Sequence, residues 1–121
     1  MSSLTSIERA RVKLLCCEIA GTYYRSEQER SCAAELQVGN QLLLEREPTN
    51  EYDKYAVKVI DKATGLCVGY IPKTLGVCVS NLLETALESR LTFHTEVVGV
   101  KIRDRVVVVA VRIDLIVAVL K

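Results

Sequence analysis

The side chains able to do chemistry fall into three short stretches of this chain. Gly21-Thr22-Tyr23-Tyr24-Arg25 sets two phenol rings beside a guanidinium. Arg46 to Val59, reading REPTNEYDKYAVKV, gathers Asn50, Tyr52, Asp53 and Lys54. Val68-Gly69-Tyr70-Ile71-Pro72-Lys73 adds another tyrosine and a lysine. Tyrosine rings stack on free bases at about 1–3 kcal/mol per base. A carboxylate accepts hydrogen bonds, an amide both donates and accepts, and Lys and Arg meet phosphates. These residue types suit recognition of a ligand.

They do not suit bond breaking. The chain contains no G-x-S-x-G, no Walker loop, no G-x-G-x-x-G and no H-E-x-x-H. A cysteine nucleophile needs a histidine, and the single histidine, His94, reads as a surface residue at a strand edge. Glu45 and Glu47 alternate along a strand and read as a solvated face. The five cysteines are odd in number and lack C-x-x-C spacing. They read as reduced thiols buried among apolar neighbours, with no zinc and no other cofactor.

Apolar periodicity indicates the elements that must hold these residues. Residues 1–10 are expected to be a flexible lead-in or a short helix, and 11–121 a single domain. Strands are expected over Arg11–Gly21, Gln41–Arg46, Tyr55–Ile60 and Leu66–Ile71, the last two forming a hairpin through Thr64 and Gly65. Ser26 to Ala34 reads as a loop or a short helical excursion. Leu75, Val79, Leu82, Leu83 and Ala86 recur at helical spacing, so Lys73–Ser89 reads as one amphipathic helix, weakened near its start by Gly76. Phe93–Ile102 and Val106–Val119 complete the set, with a turn at Arg103–Arg105. The valines of the last strand suggest burial on both faces, and the Arg112/Asp114 alternation suggests a later return to water. The expected fold is mainly β with one main helix, a small OB-like, partly open six-stranded β-barrel.

Composition limits the classes further. The chain has 121 residues, 50% hydrophobic and 26% charged, with a net charge of +1. This is a globular composition, and its charge excludes a highly basic coat protein. Val106–Leu120 is interrupted by Arg112 and Asp114, so no apolar run reaches the ~20 residues of a membrane helix. Met1–Lys13 has no signal-peptide core. An intracellular location, nuclear or cytoplasmic, is expected, with no membrane partner; the oligomeric state stays open.

The three stretches together resemble the HIRAN domain family. Its pattern is a glycine followed by aromatics, then Glu-Pro-x-Asn-x-Tyr-Asp-x-x-Ala-Val, a Gly-Tyr-Ile-Pro-like strand end and a helix. The likeness spans Ile19 to Leu87, and the last two strands agree in pattern only. It implies a modified OB-like barrel that binds single-stranded DNA at a free 3′-hydroxyl end, in company with DNA-remodelling proteins, in repair and at replication forks. ATPase and RING activities belong to other domains of longer family members, so no enzyme activity is expected of this chain.

By the likeness Tyr24, Asn50, Tyr52, Asp53 and Lys73 match family positions, with Tyr23 ambiguous by one residue. Physically, Tyr23 or Tyr24 and Tyr52 can sandwich a terminal base, and Asp53 can accept from the 3′-hydroxyl. Asn50 reaches a base edge or a phosphate. Arg25, Lys54 and Lys73 are the nearest cations for phosphates, and Tyr70 borders the site. The same residues have structural alternatives. Asn50 and Asp53 can form Asx turns. Tyr52 and Tyr70 can pack as structural aromatics, and Lys73 can be a solvated residue of the helix's first turn. Two family features are absent: Thr22 replaces an arginine before the aromatic pair, and no aromatic follows Phe93. They leave a second reading, a protein-interaction or assembly module that keeps the fold, with the apolar C-terminal strand as a recruiting edge.

Overall fold

The computed structural model describes residues 7–89 and 91–120. Its strands are β1 (Ile7–Glu18), β2 (Gln41–Arg46), β3 (Val57–Asp61), β4 (Cys67–Tyr70), β5 (Thr92–Arg103) and β6 (Val106–Leu120). A 3-10 turn (Thr22–Tyr24) and helix α1 (Glu27–Glu35) follow β1, and helix α2 (Lys73–Ser89) joins β4 to β5. All pairings are antiparallel, in the order β1-β6-β5-β2-β3-β4.

Period-two burial builds the core. Val57, Val59 and Asp61 of β3 are buried while Lys58 and Ile60 are half-buried. Val109, Val111 and Ile113 of β6 meet Val97 and Thr95 of β5, together with Leu42 of β2 and Val79 of α2. The register slips between Lys13 and Leu15 of β1 and between Val97 and Gly99 of β5. Such bulges bend and twist a strand, which lets a sheet of long strands curl.

The curl brings the two outer strands together at one point. Past the end of β1, Ala20 N–H donates to the Tyr70 carbonyl (2.7 Å), and Tyr70 N–H donates to the Ala20 carbonyl (2.8 Å). Gly69 permits this approach: a Cβ there would lie 2.8 Å from the Ala20 carbonyl oxygen and 3.0 Å from Thr22 Oγ1. The sheet is otherwise open, so the architecture is the expected mainly β, OB-like, partly open barrel.

Several expectations change. The first strand begins at Ile7, not Arg11, because its first residues pair with the end of β6; residues 1–6 of the expected lead-in lie outside the described residues. Of the two expectations for Ser26–Ala34, loop or short helical excursion, the helix is the one found, as α1. Ser26 Oγ accepts from Glu29 N–H, and Glu29 returns a bond to Ser26 N–H. This capping box starts the helix despite its polar sequence. β6 is no edge. It lies between β1 and β5, which removes the recruiting edge that the assembly reading relied on.

Asp114 does not return to water. It is 1% exposed, with Arg112 Nε at 3.3 Å and Arg11 Nε at 3.6 Å. His94 is half-buried near Glu96 inside the sheet, not at its edge. Of the five free thiols only Cys67 is buried; Cys17 and Cys32 are half-buried, and Cys16 and Cys78 are exposed. β1, which carries Cys16 and Cys17, and the helices, which carry Cys32 and Cys78, each have a wet face that leaves apolar-flanked positions outside the core.

Candidate nucleic-acid interface

The loop from β2 to β3 is organised by side chains reaching back to its own backbone. Asn50 Oδ1 accepts from the N–H groups of Tyr52 (2.9 Å) and Asp53 (3.0 Å). Its Nδ2 donates to Glu47 Oε1 at 2.6 Å. Asp53 Oδ1 accepts from Tyr55 N–H at 2.9 Å, and the Asp53 carbonyl accepts from Ala56 N–H. These are Asx turns, stiffening a loop that has no ladder bonds of its own. They lift Tyr52 into solvent, where it is 86% exposed.

Glu47 anchors the loop to the sheet. Besides Asn50 it accepts from Tyr70 Oη (3.1 Å) and pairs with Lys58 Nζ (3.1 Å). The Asn50 bond first, then Lys58 and Tyr70, hold its carboxyl below the usual carboxylate range. The same contact raises Lys58. Partial burial, and then the bond to Glu47, push the Tyr70 phenol up. Glu47 is therefore not part of a solvated carboxylate pair with Glu45, as its strand position suggested. Lys58 and Tyr70, on the neighbouring strands, left no local sign of this role.

A groove of about 240 Å³ opens between this loop and the point where the outer strands meet. Asn50, Tyr52, Asp53, Tyr70 and Lys73 line it, together with the backbone of Gly21. Gly21 takes φ 76°, the left-handed conformation that glycine adopts without strain. Lys73 opens α2, whose N-terminus adds partial positive charge. Gly76, which weakens the helix intrinsically, lets α2 lie against the loop: a Cβ there would stand 3.1 Å from the Tyr55 carbonyl oxygen. Among the described residues, Asp53 Oδ2 accepts no hydrogen bond and Lys73 makes no ion pair.

The other expected site residues lie elsewhere. Tyr23 and Tyr24 sit on the 3-10 turn after Gly21, ring centroids 5.4 Å apart and edge to face. Tyr23 lines a second hollow, and Tyr24, 86% exposed, lines neither. Arg25 pairs with Glu29 at 2.9 Å and lies over the Tyr70 ring. Lys54 lies over the Tyr55 ring. Five of the nine expected residues thus share one groove, while Tyr23, Tyr24, Arg25 and Lys54 are outside its lining.

The curled sheet and its groove define a small β module built for binding. Residues 12–111 match the model of the HIRAN domain, and the chain belongs to that family of nucleic-acid-binding domains. Among solved structures, a protein from Lactobacillus plantarum has a similar fold, with a TM-score of 0.64 and 22% identity over 88% of this chain and 99% of that one. The HIRAN domain of human HLTF is similar too, with a TM-score of 0.65 and 19% identity over 88% of this chain and 78% of that one. No curated protein matches the chain significantly in sequence. Among the described residues no helix is long and apolar enough to cross a membrane.

Proposed function

We propose that this HIRAN domain is a non-enzymatic module that binds single-stranded DNA at a free 3′-hydroxyl end. The terminal base stacks on Tyr52, whose ring is solvent-exposed on a stiffened loop. Asp53 Oδ2 accepts the 3′-hydroxyl proton, its other oxygen being held by Tyr55 N–H. A 3′-phosphate brought to the same place would meet like charge, which gives end discrimination. Lys73 and the N-terminus of α2 take the nearest phosphate. Asn50 shapes the site through its bonds to Tyr52, Asp53 and Glu47 instead of reading the ligand.

The observation that carries this reading is the convergence of Tyr52, Asp53 and Lys73, drawn from two segments, on one groove where, among the described residues, an acceptor oxygen and an ammonium lack partners. Fluorescence anisotropy with single strands ending in 3′-hydroxyl or 3′-phosphate, and with circular strands, tests it at low salt. The 3′-hydroxyl strand should bind tightest. Equal affinity for all three, or none, refutes end recognition.

A further inference from the structure

The hollow lined by Tyr23 is the second feature suited to a ligand. It measures about 400 Å³ and is lined by Tyr23, Arg30, Arg105, Thr22, Val106 and Val107. Arg30, on α1, gives one N–H to the Tyr23 carbonyl at 3.2 Å. A guanidinium has five N–H donors, so most of its capacity remains. Among the described residues neither Arg30 nor Arg105 pairs with a carboxylate. Glu29, the residue before Arg30 on α1, is taken by Arg25. Asp104, the neighbour of Arg105, is not among the lining residues.

Arg105 occupies an unusual place. Asp104 (φ 52°) and Arg105 (φ 67°) turn β5 into β6 with positive φ at both positions. Two-residue turns of this kind favour Asn-Gly, because a side chain on the second residue is strained there. An arginine held in that conformation at the mouth of the hollow puts a cation where the turn alone would favour glycine.

Gly21 lines the groove and Thr22, the next residue, lines the hollow, so the two are one residue apart along the chain. We propose that the hollow is a backbone subsite. Arg30 and Arg105 hold phosphodiesters of the bound strand inward from its 3′ end, and the half-exposed ring of Tyr23 supports a base between them. This rests on the end-binding reading and extends it: the groove takes the terminal nucleotide, and the strand leaves over the 3-10 turn.

The test compares a 3′-hydroxyl dinucleotide with a ten-nucleotide strand, on wild type, Arg30→Gln, Arg105→Asn and the double variant. Both arginines are exposed, and Asn tolerates positive φ, so the fold is kept; circular dichroism melting verifies this. Each single variant should weaken the longer strand about 3- to 10-fold, reduce the slope of log affinity against log salt by about 0.7 per lost phosphate contact, and leave the dinucleotide unchanged. Arg30→Lys should restore part of the loss. Unchanged affinity and salt slope on the longer strand overturn the subsite while leaving the end groove standing. Equal weakening of both strands also overturns it, and failure of wild type to bind either strand refutes both readings.

Discussion

Glu47→Ala removes one side chain and unties three elements. The wild-type carboxylate accepts from Asn50 Nδ2 at 2.6 Å and Tyr70 Oη at 3.1 Å, and pairs with Lys58 Nζ at 3.1 Å. A hydrogen bond to a charged group contributes about 1.5–3 kcal/mol, and partly exposed ion pairs lie near the bottom of the scale, at about 0–1 kcal/mol. The Glu47 and Lys58 side chains are 22% and 31% exposed, so water replaces part of what is lost. The three contacts form one network and do not add, and a total loss of about 1.5–3 kcal/mol is expected. Urea unfolding should show a lower midpoint at unchanged slope. Glu47→Gln keeps an acceptor for Asn50 and Tyr70 and should lose less.

The pH dependence separates this network from a generic packing defect. The folded-state pKa of Glu47 lies below its unfolded value of about 4.3. Its stabilisation is therefore complete above that value and disappears as pH falls through the folded-state pKa. The wild-type advantage over Glu47→Ala should be constant from pH 6 to 8 and shrink as the solution is acidified below about pH 4. An advantage that persists unchanged into acid, or equal midpoints at neutral pH, would refute the network.

Other outcomes follow from single contacts. Tyr52→Ala should leave the melting temperature unchanged, since the ring is 86% exposed, while weakening end-bearing strands by about 1–3 kcal/mol in an anisotropy titration. Gly69→Ala should destabilise by about 1–3 kcal/mol in denaturant titration, because its Cβ would press on the Ala20 carbonyl at 2.8 Å where the outer strands meet. Ser26→Ala breaks the capping box and should cost about 1 kcal/mol, with hydrogen exchange quickening first in α1.

The strands and α2 were legible because burial imposes a period on the sequence. Leu75, Val79 and Leu83 recur at helical spacing, and α2 runs over Lys73–Ser89 as the pattern predicts. α1 was harder to see because its signal is the Ser26/Glu29 capping box at one end, not an apolar stripe. Asp114 departs from its local pattern for a related reason. Alternation with Arg112 looks like a wet face, but Arg11 from the adjacent strand joins Arg112 in pairing the carboxylate. That neighbour is set by strand order, which local patterning does not encode.

The same division runs through the site. Residue types, patterning and the family likeness pointed to a mainly β binding module with Tyr23, Tyr24, Arg25, Asn50, Tyr52, Asp53, Lys54, Tyr70 and Lys73 as its candidate contacts. Stacking and hydrogen bonding are properties of the side chain itself, so they can be read wherever it stands. Tertiary structure alone decided which of them meet. It brought Lys73 and Asp53 to one groove at the start of α2, kept Tyr23 and Tyr24 out of its lining, and made Glu47 the tie between loop and sheet. Contacts between residues far apart in sequence depend on how the sheet curls, and that curl depends on bulges and on one close glycine contact at Gly69.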